Sequence, residues 1–170
     1  MDKAGIKLPR GAWITELWDT NQGMFRDFAS TPKKIGLLPN GRPDLPSYTE
    51  LRAFARGNSR WAPWDGVDIH HSMDTWIQRD YLLLNGNYDD VPGFVIDTAE
   101  HTFGAGRSKV GTLTGDLEAA IKHNPNIRPG DHKAVAEAMK EVYEARGLFD
   151  LWSVTRQTMI SKGVNPSLLP

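Results

Sequence analysis

Clean helical periodicity is confined to the last third of this chain, and the turn-forming residues crowded into its beginning make that part read as irregular. Residues 1–66 contain LPNGRPDLPSY at 38–48 and WAPWDG at 61–66. Proline removes backbone donors and fixes φ, while glycine, asparagine and aspartate favour turns, so only short helices fit between these stretches. They are expected around Glu16–Trp18, Met24–Phe28 and Tyr48–Arg56. Beyond Lys109 the pattern changes. Asp116 to His123 reads as a helix stopped by Asn124–Pro125. Asp131 caps a second helix that puts Val135, Ala138, Met139, Val142 and Tyr143 on one face and ends at Gly147. A third turns Leu148, Leu151, Trp152, Thr155 and Met159 inward and stops near Gly163.

The middle of the chain is mixed. Ser72 to Leu84 carries Met73, Trp76, Ile77, Tyr81 and Leu84 at a spacing close to one helical face, and NGNYDDVPG then breaks it. Gly93 to Ile96 is a short apolar run with the character of a strand, and Asp97 is placed to cap a helix running through DTAEHT. With no internal repeat or heptad array, the simplest architecture is one compact α+β domain, mostly helical, with an irregular N-terminal half. A chain of 170 residues is within the range of one such domain and buries roughly two-thirds of its unfolded surface.

Composition removes several classes of function. No apolar run approaches the roughly 18 residues that a membrane span requires, so membrane insertion is not expected. The first twenty residues lack an apolar block ending at a small-residue cleavage site and do not read as a signal peptide. With no cysteine there are no disulfides, thiolate zinc sites or cysteine nucleophiles, and any metal must be held by nitrogen and oxygen. A net charge of −1 means that nucleic acid, if bound, is met by local basic clusters rather than by overall charge. HExxH and Gly-x-Ser-x-Gly are both absent, which leaves zinc proteases of that type and hydrolase triads without support.

The chemistry-bearing feature is the placement of three of the five histidines. A tandem pair lies in VDIHHSMDTW, and His101 comes thirty residues after His71 in VPGFVIDTAEHTFG. If Val67–His71 is extended, neighbouring side chains point to opposite faces, so His70 and His71 cannot both enter one core. One can hold a metal while the other handles a proton. Phosphodiester hydrolysis requires that division: a neutral imidazole is a suitable base near neutral pH, and a divalent ion stabilises charge on the phosphate oxygens and leaving group.

The HH tandem, the returning strand and the EHT helix resemble the HNH/endonuclease VII superfamily of ββα-metal (His-Me finger) nucleases. They are most similar to the GHH- and AHH-type domains that end bacterial polymorphic toxins. The resemblance covers residues 67–104, which it casts as the nuclease core between an irregular part at 1–66 and C-terminal helices at 105–170. It implies that His70 contacts the metal, that His71 is the general base and that His101 is a second ligand. GNSRW and NGRPDLPSY are similar to stretches preceding nuclease cores in Rhs-type toxin termini. The activity that the resemblance implies is that of a DNase acting in the cytoplasm of competitor bacteria. Such a domain is delivered on a larger toxin or as a type VI secretion effector, and a cognate immunity protein restrains it.

The sequence departs from the family pattern at two points. The asparagine expected nine residues before the helix histidine, where it braces the loop carrying the base, is Pro92; Asn85 and Asn87 are the candidates to replace it. A further histidine found in colicin-like relatives is Ala105 here. Few protein ligands and several waters then suit Mg²⁺ better than a closed zinc site, with Mn²⁺, Ni²⁺ and Zn²⁺ as alternatives. Asp68, Asp74, Asp97 and Glu100 are candidates for an extra ligand or an orienting carboxylate, although helix-starting roles also explain Asp74 and Asp97. FGAGRSKVGT at 103–112 does not satisfy the Walker order, but Arg107 and Lys109 are candidates to hold substrate phosphates. Two competing readings remain: an RNase using the same site, and a non-catalytic protein-binding module with structural histidines.

Overall fold

The computed structural model describes residues 47–49, 52, 67–97 and 109–170. About half of these are helical, and they include a small antiparallel sheet, giving an α+β fold. The expected helices at Glu16–Trp18 and Met24–Phe28 and the segment from Thr98 to Ser108 lie outside the described residues.

Strand β1 (Val67–His71) pairs antiparallel with β2 (Gly93–Asp97) in a register that sets Val67 opposite Asp97, His70 opposite Phe94 and His71 opposite Gly93. The excursion between them is not the regular helix that its apolar spacing predicts. It becomes helical at Thr75 and runs through a wide π-helical turn, Ile77–Tyr81. Leu82 N–H bonds to the Ile77 carbonyl at 2.8 Å and Leu84 N–H to that of Gln78 at 2.9 Å. The chain leaves this turn through Leu83, whose φ of 51° is unusual for a residue with a branched side chain. This widening lets Leu82 and Leu84 both enter the core while Leu83 stays exposed. Gln78, which the periodicity points outward, is fully buried. Its amide donates to the carbonyls of Met73 at 2.7 Å and Tyr88 at 2.9 Å, tying the two arms of the excursion together.

The C-terminal helices obey their local signals closely. Thr112 caps α1 (Leu113–Leu117) by accepting from Gly115 N–H, and a second wide turn, Glu118–Lys122, extends it to the Asn124–Pro125 stop. Asp131 accepts from Ala134 N–H at 3.0 Å to start α2 (His132–Ala145). His132 reaches back from this start to the Leu82 carbonyl at 2.9 Å. Both α2 and α3 (Phe149–Ser161) end in Schellman motifs. Gly147 and Gly163 adopt φ of 71° and 94°, and the next residues, Leu148 and Val164, donate to the carbonyls of Tyr143 and Met159.

One hydrophobic cluster joins the pieces. Met73, Ile77, Leu82 and Leu84 from the excursion and Phe94 from β2 share it with Leu113, Leu117 and Ile121, with Val135, Met139 and Tyr143, and with Leu151 and Met159. Burying side chains of this size contributes roughly 1.5–3 kcal/mol each. The sheet is therefore fixed to a helical platform through the excursion. Among the described residues no helix is long and apolar enough to cross a membrane.

Candidate functional site

Alternation along β1 sends the two histidines to different environments. His70 is fully buried, with its ring 5.1 Å from that of Phe94 across the strand pair. His71 is only partly buried, its side chain 15% exposed, opposite a residue with no side chain.

The His70 ring is oriented by its own backbone. Nδ1 donates to the carbonyl of His71, which leaves Nε2 as the nitrogen facing the Asp74 carboxylate, 3.5 Å from Oδ1. Asp74 is buried where the excursion enters its helical turn, and its backbone carbonyl accepts from Gln78 N–H. Its second carboxylate oxygen is buried with no hydrogen-bond partner among the described residues. A nitrogen donor and an incompletely satisfied carboxylate facing each other in the interior form a pair that suits a cation. Among the described residues there is no cluster of three or more His, Asp or Glu side chains that could hold a metal ion, and this pair supplies two donors.

Ser72, immediately after the tandem, is held from three directions. Its N–H donates to the Pro92 carbonyl at 2.7 Å, and its own carbonyl accepts from Tyr143 Oη at 3.1 Å and Thr155 Oγ1 at 2.6 Å. Helices α2 and α3 thus grip the end of β1. Burial, reinforced by the charge of Asp74, pushes the Tyr143 phenol well above its ordinary value of 10.0 and keeps it protonated as a donor.

On the outer face, His71 Nε2 lies 2.9 Å from Asp89 Oδ1. The imidazole stacks on Tyr48 with ring centroids 3.5 Å apart and planes inclined by 20°. Tyr48 is in turn fastened to the returning chain: its N–H donates to the Val91 carbonyl at 2.7 Å, and Ser47 bridges to Pro92. The exposed Arg52 places its guanidinium 5.5 Å from the Tyr48 ring centroid, bringing a cation beside the site. Asp89 N–H bonds to Asn87 Oδ1 at 3.0 Å, and Lys162 Nζ holds the Asn87 carbonyl at 3.1 Å.

The other sequence candidates are spread more widely. Register places Asp68 opposite Ile96 and Asp97 opposite Val67, toward the far end of the strand pair; Asp97 is three positions along from the partner of His70, about 10 Å. Lys109 Nζ bonds both carboxylate oxygens of Glu118, at 2.9 and 3.0 Å, so any phosphate would compete with that ion pair. His101, Glu100 and Arg107 lie outside the described residues. Pro92 serves through its carbonyl, and the amide of Asn87 braces the Asp89 loop, while Asn85 is exposed.

Tyr48 and Asp89 were not evident as site residues from the sequence. Asp89 sits in a stretch that reads as a turn, yet an antiparallel return necessarily brings the residues just before β2 beside the end of β1. Comparison of the chain with known protein families, with characterised proteins and with solved structures finds no match to it.

Proposed function

We propose that this chain is a metal-dependent endonuclease that hydrolyses DNA phosphodiester bonds, with His71 as general base. The carrying observation is the division of the tandem: partly exposed His71 lies against a carboxylate, while fully buried His70 turns a ring nitrogen toward buried Asp74. In this reading His71 takes a proton from water as the water oxygen bonds to phosphorus and the leaving oxygen departs, to be protonated by solvent. His70 and Asp74 would hold a divalent ion, Mg²⁺ first among the candidates, with His101 as the further ligand implied by the family resemblance. When bound, the ion supplies charge stabilisation at the phosphate and the departing oxygen. Arg52, whose guanidinium lies by the ring of Tyr48, is one candidate for phosphate contact, and Arg107 and Lys109 are others. Delivery as a toxin domain against competing bacteria, action in the target-cell cytoplasm and restraint by an immunity protein rest on the resemblance alone.

The test is cleavage of plasmid DNA and of a structured RNA by the 170-residue chain with Mg²⁺, Mn²⁺, Ni²⁺ or Zn²⁺, each with a chelator control. Metal-dependent loss of supercoiled DNA that disappears in His71→Ala is the expected result. Cleavage confined to RNA turns the proposal into an RNase. Absence of turnover with every metal rejects the catalytic reading, and undiminished cleavage by His71→Ala rejects His71 as the base.

A further inference from the structure

The geometry points to Asp89 as the positioning residue of His71, holding the imidazole in its Nε2–H tautomer and stabilising the imidazolium formed when the ring accepts a proton at Nδ1. This rests on the proposed role of His71 as the base and adds the residue through which that role is set.

An ionised carboxylate only accepts hydrogen bonds, so the 2.9 Å contact between Asp89 Oδ1 and His71 Nε2 requires the proton on Nε2. A ring protonated there gains its second proton at Nδ1. That proton is the one taken from water, and it remains on the imidazole, with Asp89 acting through charge rather than as its acceptor. Tyr48, stacked at 3.5 Å, restricts rotation of the ring out of this plane.

Asp89 is itself held. Its N–H is fixed by Asn87 Oδ1 at 3.0 Å, and its carbonyl accepts from Thr49 Oγ1 at 3.4 Å, on the segment that carries Tyr48. Base, stacking ring and carboxylate are therefore fastened to one another across three separate stretches of chain. The Asp89 side chain is 51% exposed, and an ion pair so open to solvent contributes little to folding. The carboxylate can accordingly be removed without losing the fold, which makes the inference testable.

The experiment combines long-range ¹H–¹⁵N spectra of histidine-labelled chain, recorded where the rings are neutral, with steady-state cleavage kinetics. Asp89→Ala, Asp89→Glu and His71→Ala are compared with the parent. The parent is expected to show His71 as the Nε2–H tautomer, with a mixture of tautomers in Asp89→Ala. In that variant kcat should fall about tenfold to a hundredfold with little change in KM, and Asp89→Glu should recover part of both losses. An Nδ1–H tautomer in the parent overturns the inference. So does unchanged kcat in Asp89→Ala when His71→Ala is inactive. If His71→Ala still cleaves, the base assignment fails, while the tautomer measurement still decides whether Asp89 positions the ring.

Discussion

The phenol of Tyr143, deep in α2, donates to the carbonyl of Ser72, the residue directly after the histidine pair, and Thr155 from α3 donates to the same oxygen. Two helices that are far away in sequence therefore set the position of the strand end bearing His70 and His71. Removing one donor leaves the carbonyl satisfied, whereas removing both leaves it orphaned in the interior. Tyr143→Phe and Thr155→Val should each cost about 1 kcal/mol. The double variant should lose more than the sum, by about 1 kcal/mol or more, because a buried acceptor is then unpaired. Urea denaturation of the four proteins measures the coupling, and strict additivity would contradict a shared acceptor.

Tyr143 also predicts the behaviour of the fold in alkali. Its folded-state value lies well above 10.0, so the unfolded chain ionises first as pH rises. The unfolded state then binds fewer protons than the native state, and stability is flat below about pH 10 and falls above it, by up to about 1.4 kcal/mol per pH unit for this one group. Tyr143→Phe removes the titration. The stability difference between the parent and this variant should therefore shrink between pH 9 and 11 in chemical denaturation, and a difference that stays constant over that range would show that the phenol ionises alike in both states.

Two glycines separate backbone conformation from packing. At Gly147, φ of 71° closes α2, and an added Cβ meets nothing within 4 Å, so Gly147→Ala should cost about 1 kcal/mol through conformation alone. At Gly115 a Cβ would lie 1.9 Å from the Lys109 carbonyl oxygen, which is backbone and cannot swing aside. Gly115→Ala should cost about 1–3 kcal/mol. It should also move the Lys109–Thr112 turn, read as amide shift changes at Lys109 and Glu118 that Gly147→Ala does not produce.

How far the sequence foretells this fold depends on the range of the contacts involved. Helices α2 and α3 are legible because Asp131, Gly147 and Gly163 act within a few residues and the buried faces recur at helical spacing. The strand pair is legible from the short apolar run and the tandem, and so is the opposed placement of His70 and His71, since alternation is a property of any extended segment. The wide turn at Ile77–Tyr81 is not, because the periodicity of Met73, Trp76 and Ile77 cannot report that Gln78 finds the carbonyls of Met73 and Tyr88 and turns inward. Nor is the Asp89 contact, which arises only after the excursion has folded back over eighteen residues. The convergence of His101 on the tandem lies outside the described residues.

The facing pair His70 and Asp74 yields the sharpest prediction about metal. With Nδ1 committed to the His71 carbonyl, Nε2 faces the buried carboxylate 3.5 Å away, an arrangement of donors that a cation would stabilise. A ligand that binds only the folded state stabilises it by about 2.7 kcal/mol at a hundredfold excess over Kd. Mg²⁺ or Mn²⁺ should therefore raise the denaturation midpoint of the parent chain, and excess chelator should reverse the rise. Asp74→Asn keeps the shape of the side chain and removes its charge, so its midpoint should respond to the same metal concentrations much less, whatever its stability without metal. His70→Ala should behave in the same way. Equal metal-induced stabilisation of the parent and both variants would show that the ion is bound elsewhere. Stabilisation of none of them would show that the pair holds neither ion.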